Sequence, residues 1–176
     1  AFDPELSDIN LTNFRTSDVT NMNTMFYSDK SLESLDLSSF NTSKVKNMQM
    51  MFQSDSNLVS LTGLSDWTNN VTTNMEQMFA NDTNLQQINL SDFQTPALTN
   101  IGGLFFNDQS LRDLNLSSFD VSNVWSDDQS AGTHRFTNFL YNTNNLTNLN
   151  LSGWTNNHVR NLSGIFDNRN NLRKIN

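Results

Sequence analysis

The sequence contains no cysteine, so no disulfide framework and no thiolate metal site can hold it together, although that absence does not fix the compartment. Positive charge is scarce. Ten Lys and Arg against 18 Asp and Glu leave a net charge of −8, which argues against a nucleic-acid partner, because phosphates need cations to neutralise them. No apolar run approaches the length of a membrane span, so no membrane insertion is expected. No signal peptide opens the chain, but Ala1 and Asn176 read as cut points, so missing targeting signals carry no information. His134 and His158 are the only histidines, and no nucleophile motif accompanies them. No catalytic residue is assigned and no cofactor is expected; a carboxylate pair in a cleft is the one catalytic arrangement left open.

What is present is a polar chain, rich in Asn, Ser, Thr and Asp, that still carries 13 Phe and 3 Trp. Disordered chains usually lack aromatics, so these residues must occupy positions where each one counts. Aligning the chain on itself finds those positions. The run through Leu32, Leu35, Leu37 and Phe40 returns through Leu85, Ile88, Leu90 and Phe93, then through Leu111, Leu114, Leu116 and Phe119, and again through Leu146, Leu149, Leu151 and Trp154. Weaker copies begin at Leu6 and Leu58, and Leu172 starts a seventh that is never finished. Leu6 to Leu32, Leu32 to Leu58, Leu85 to Leu111 and Leu146 to Leu172 are each 26 positions. Leu58 to Leu85 is 27, with one extra residue near Gly63, and Leu111 to Leu146 is 35, which is 26 plus an insertion of nine.

A period this regular predicts a solenoid. Within each unit the Leu-x-Leu alternation predicts a short strand with one buried face. The second half, with Val45, Met48, Met51 and Phe52 at steps of three and one, predicts a short helix of about two turns with Ser43 as its N-cap. Strand, helical crossover and parallel strand together give an α/β fold: one right-handed leucine-rich-repeat solenoid domain over residues 1–176. Its parallel sheet forms the inner face, short helices form the outer face, and there are about six repeats of 26 residues.

The pattern Leu-x-x-Leu-x-Leu-Ser-x-Phe-x-Thr-Ser-x-Val-x-Asn-Met-x-x-Met-Phe is fullest over residues 32–52 and nearly complete over 6–26. It resembles the BspA-type leucine-rich repeats of bacterial surface proteins, and the resemblance covers essentially the whole chain. It implies a fragment of a secreted, wall-attached protein on the bacterial cell surface, an adhesin for host mucin, glycans or extracellular-matrix proteins. Many relatives carry Cys in the turn after Met-Phe, where this sequence has Asp29, Asp55, Asp82 and Asp108.

Two candidate binding surfaces follow from the repeat. Side chains between the buried leucines form one row through Asn10, Asp36, Thr62, Asn89, Asn115, Asn150 and Asn176, and a second through Asp8, Ser34, Ser60, Gln87, Asp113, Asn148 and Lys174. With strands about 4.8 Å apart these make a polar wall roughly 30 Å long, whose amides and carboxylates suit sugar hydroxyls or an extended polypeptide. Asp36, Gln87, Asn89, Asp113, Asn115 and Asn150 are its candidate ligand residues, although a soluble sheet needs a polar outer face in any case. The second surface is the insertion across 125–135, in which Trp125 holds no repeat position and lies beside Asp127, Asp128, His134 and Arg135. Such a loop suits stacking on a sugar, or else the ring folds down over the repeats. Trp67 and Trp154 stand where other repeats have Phe and are expected in the core.

The recurring Asn21, Asn47, Asn74, Asn100 and Asn161 are expected to satisfy backbone groups in turns. The Asp in each turn supplies too few oxygens for calcium, so turn capping is expected there and no metal site is assigned. The unfinished seventh repeat leaves Leu172 and Ile175 at an uncapped end, so the parent protein is expected to continue there or the end to self-associate. The alternative to an adhesin is a passive spacer that presents another domain.

Overall fold

A computed structural model of the chain describes residues 3, 5–125, 135–156, 165 and 171–176. Residues recurring at the 26-residue beat stack in register. β1 (Ser34–Asp36) pairs in parallel with β2 (Ser60–Thr62), placing Leu35 beside Leu61. β3 (Asp113–Asn115) pairs with β4 (Asn148–Asn150), which pairs with β5 (Lys174–Ile175), so Leu114, Leu149 and Ile175 stand side by side. Gln87 joins the two groups, bridging Ser60 on one side and Asp113 on the other, and its neighbour Ile88 thereby falls between Leu61 and Leu114. The alternation is that of a half-buried strand: Leu35, Leu61, Ile88, Leu114 and Leu149 are buried, while Asp36, Thr62, Asn89 and Asn115 face out.

The strands are only two or three residues long, and at β1, β3 and β4, as at Asn89, a side chain ends the extended run. Asp36 Oδ1 accepts from the Ser38 N–H at 3.0 Å, and Asn89, Asn115 and Asn150 accept likewise from Ser91, Ser117 and Ser152. Each is an Asx-turn that bends the chain out of the sheet.

Two columns of rings run through the interior, the first beginning at an exposed Phe14. One runs Phe14, Phe40, Trp67, Phe93, Phe119 with centroids 5.5–6.2 Å apart. The other runs Phe26, Phe52, Phe79, Phe105, Phe139 at 5.4–6.0 Å. Trp67 is buried in the first column, while Trp154 is half-buried and packs on Phe139 at the far end, against the core rather than within it.

The second half of each unit differs from the helix that the spacing predicts. Among the described residues there is no α-helix; the one helical piece is a 3₁₀ turn at Leu64–Asp66. Instead, every second N–H leaves for the next turn of the chain: those of Met48, Met50, Phe52 and Ser54 go to the carbonyls of Asn74, Glu76, Met78 and Ala80 at 2.8–2.9 Å. The residues between bond back three positions, as Met51 does to Met48 and Gln53 to Met50. Positive φ at Met50 and Ser54, and at the equivalent Thr24 and Ser28, Gln77 and Asn81, and Gly103 and Asn107, gives the third position of a type II turn. Ser43 caps no helix, since its N–H and hydroxyl both donate to Asn41 Oδ1 in another Asx-turn.

The physical reason is spacing. Packed helices need 8–10 Å each, whereas strands need about 4.8 Å, and the successive turns here are hydrogen-bonded to one another on both flanks. The sequence favours the ladder too. Asn21, Asn47, Asn74 and Asn100 bridge one another in parallel, and each Oδ1 accepts from the N–H two residues on, at 2.9–3.1 Å. Asn161 lies outside the described residues.

Two irregularities in the beat have local solutions. The extra residue near Gly63 is absorbed in the 3₁₀ turn, where Gly63 has φ 78° and its Cα lies so close to the preceding turn that a Cβ would stand 2.2 Å from the Ser38 nitrogen. The nine-residue insertion lies between Val124, whose N–H bonds to Val121 as Leu98 does to Thr95, and Arg135, whose carbonyl accepts from Ile101 at 2.9 Å.

Candidate functional site

The exposed side of the strand flank carries a trough of about 890 Å³. It runs along the strand positions of Leu61, Ile88, Leu114 and Leu149, whose side chains turn into the core, and its polar lining is Ser60, Thr62, Gln87, Asn89, Asp113, Asn115, Asn148, Asn150, Lys174 and Asn176. Every one of those polar residues belongs to the two rows read from the repeat. The structure thus brings together Gln87, Asn89, Asp113, Asn115 and Asn150. Asp36 is separate: it lines a second trough of about 570 Å³ with Asp8, Asn10 and Thr12.

The two rows are not chemically equivalent. In the row of Asp36, Asn89, Asn115 and Asn150 the Oδ1 atoms already accept from the Ser N–H groups that end the strands. The Ser91 and Ser117 hydroxyls add second donors to Asn89 and Asn115 at 2.9 and 2.8 Å. The N–H and hydroxyl of Ser38 hold the Asp36 carboxyl below its ordinary range, so it carries a settled negative charge at neutral pH. What this row offers a ligand is the outward amide N–H₂ of its asparagines. The other row is freer. Gln87 and Asp113 are exposed and close no turn, while Asn148 donates its amide to the Asp113 carboxylate across the β3–β4 pair. The trough therefore combines amide donors, a carboxylate at Asp113 and an ammonium at Lys174.

Of the insertion, Trp125 and Arg135 are among the described residues. Trp125 is 54% exposed. Arg135 is half-buried, and its backbone occupies the ladder position that Asn21, Asn47, Asn74 and Asn100 hold in the other turns. Asp127, Asp128 and His134 lie outside the described residues, as do His158 and the greater part of the last repeat. Among the described residues no group of three or more His, Asp or Glu is placed to hold a metal ion, and no helix is long and apolar enough to cross a membrane.

The aspartates that follow Met-Phe do something other than the turn capping that the sequence suggests. Asp29, Asp55, Asp82 and Asp108 are buried, and each reaches with Oδ1 to a backbone N–H one turn earlier in the chain. Their recurrence at every beat was the available signal. What hid their role was that a turn residue next to Ser or Asn reads as solvent-exposed.

No curated protein and no solved structure gives a match to this chain. A family model does, twice, over residues 3–87 and 53–175, the overlap reflecting the internal repeat. With nearly the whole length covered, the chain belongs to the family described as Mycoplasma protein of unknown function, DUF285.

Proposed function

We propose that the chain is the binding part of a bacterial surface adhesin, a right-handed solenoid of the BspA leucine-rich kind, outside the cell, that holds host mucin, glycans or matrix proteins on its strand flank. The observation that carries this reading is the trough over Ile88 and Leu114, where the repeat lines up amides, one carboxylate and one ammonium along successive turns. Such an array matches the alternating donors and acceptors of sugar hydroxyls or of an extended peptide, and its length suits a polymer better than a small molecule. Nothing in this proposal requires a catalytic group, a cofactor or a metal.

One observation favours the spacer alternative. The oxygens of Asn89, Asn115 and Asn150 are engaged in ending strands, so that row has a structural reason to exist without any ligand. The experiment therefore targets the other row. Immobilised mucin, fibronectin, fibrinogen and collagen, and a glycan array, are probed with the chain and with Gln87→Ala, Asp113→Ala and Trp125→Ala. Loss of one or two hydrogen bonds predicts roughly 3- to 10-fold weaker binding for Gln87→Ala and Asp113→Ala. Binding that is unchanged in both but lost in Trp125→Ala moves the site to the insertion, and binding to none of the probes supports the spacer.

A further inference from the structure

The strand flank and the ring columns leave one feature without a role, the column of aspartates inside the turn flank. Asp29, Asp55, Asp82 and Asp108 are each at most 1% exposed. The Asp3 N–H donates to Asp29 Oδ1 at 2.9 Å, that of Asp29 to Asp55 at 2.8 Å, that of Asp55 to Asp82 at 2.9 Å, and that of Asp82 to Asp108 at 2.8 Å. The Oδ2 atoms of Asp29, Asp82 and Asp108 are buried and have no hydrogen-bond partner among the described residues.

An ionised carboxylate presents about four lone-pair sites, and here Asp29, Asp82 and Asp108 each accept one N–H, at Oδ1, while Asp55 has the N–H groups of both Asp29 and Ser28. Among the described residues no Lys or Arg side chain pairs with these carboxyl groups. The ion pair found among the described residues joins Lys44 to Asp18 on the surface, and Lys30, beside Asp29, points to solvent. The charged groups that bear on Asp55 and Asp82 are other members of the column and, last and in the opposite sense, the amino terminus acting on Asp55. Beyond Asp108 the repeat places Thr143, which is buried, and then Arg169, outside the described residues. A row of carboxylates about 4.8 Å apart in such surroundings would carry an uncompensated desolvation cost and mutual repulsion. As carboxylic acids the same groups keep the Oδ1 acceptor and lose the charge.

We propose that Asp55, Asp82 and Asp108 form a pH-sensitive seam: as neutral acids they fasten successive turns of the stack to one another, and their ionisation loosens it. Burial, ahead of every other cause, pushes Asp55 up to about 8 and raises Asp82 and Asp108 well above the ordinary carboxyl range, with the charges of Asp108 and Asp55 raising Asp82 further. In the unfolded chain the same groups titrate near 3.9. Below about pH 4 both states hold the protons. Between about 4 and 8 only the folded state does, so folding is favoured by acid and stability falls as pH rises through that window.

The test is urea unfolding of the chain at pH 5 and pH 8, with protons counted calorimetrically in buffers of different ionisation enthalpy. The expected result is a higher midpoint at pH 5 and a release of about three protons per molecule unfolded near pH 6, one each from Asp55, Asp82 and Asp108. Asp82→Asn, which keeps the acceptor and removes the titrating proton, lowers that count by about one and flattens the pH dependence, while the exposed Asp66→Asn changes neither. If Asp82→Asn does not fold, the infrared band of protonated carboxyl groups in the parent chain at pH 7 decides, and its presence is the expected result. A proton count near zero at pH 6, or absence of that band, overturns the proposal.

Discussion

On the strand flank, short apolar-polar alternations pair through β1 to β5, and the polar partners of Leu61, Ile88 and Leu114 stay in solvent. On the turn flank the hydrogen bonds between turns are as regular, yet they rest on positive φ at Met50, Ser54, Gln77 and Asn81 and on four buried aspartates. The same inter-turn spacing is met with ordinary strand geometry on one side and with demanding backbone and buried polar groups on the other. The difference teaches that the two flanks carry different burdens. The strand flank leaves its outer side chains in solvent, and the turn flank concentrates buried polar contacts between turns.

If that division holds, damage to the turn flank costs more. Phe79 sits mid-column between Phe52 and Phe105, 1% exposed, so Phe79→Ala is expected to lose about 4 kcal/mol in urea unfolding. Ile88→Ala on the strand flank, at 8% exposure, should lose about 2–3 kcal/mol. Reversed ranking would break the comparison.

The glycines sharpen it at the level of the backbone, with the larger effect this time where the strand flank turns. Gly63→Ala meets both a φ of 78° and the Ser38 nitrogen, for a loss of roughly 2–3 kcal/mol, read as a fall in thermal midpoint. Gly103→Ala, on the turn flank, faces the flexible Gln77 side chain at 3.1 Å and should lose about 1 kcal/mol.

The smallest effects come from the Asx-turns. Asn74→Ala removes an acceptor from the half-buried ladder and is expected to cost about 1 kcal/mol, against about 0.5 kcal/mol for the exposed Asn89→Ala. Equal losses would mean that water replaces both acceptors equally well. Hydrogen exchange at Glu76 and Ser91, whose N–H groups those side chains hold, gives an independent reading.

Much of this was legible. The spacing of Leu35, Leu61, Ile88 and Leu114 predicts their common column, and the residues between them predict the polar lining of the trough. The turn flank was misread because Val45, Met48, Met51 and Phe52 recur at three and one, which suits a helical stripe and a chain of tight turns equally. The residues that break the tie are Ser28, Ser54, Asn81 and Asn107, small polar side chains at the positive-φ position, a conformation in which Asn is enriched. Arg135, a candidate binding residue of the insertion, also supplies with its backbone carbonyl the ladder acceptor where that insertion ends, which the spacing alone did not reveal.

By itself the sequence determined the beat, its two interruptions and which apolar residues must meet, because burial depends on recurrence and recurrence is written in one dimension. Only the tertiary structure decided what the intervening backbone does and that the aspartates lie inside. An N–H in this chain bonds across a full turn to a residue about 26 positions away, and a carboxyl group is buried or exposed according to what that neighbouring turn lays over it.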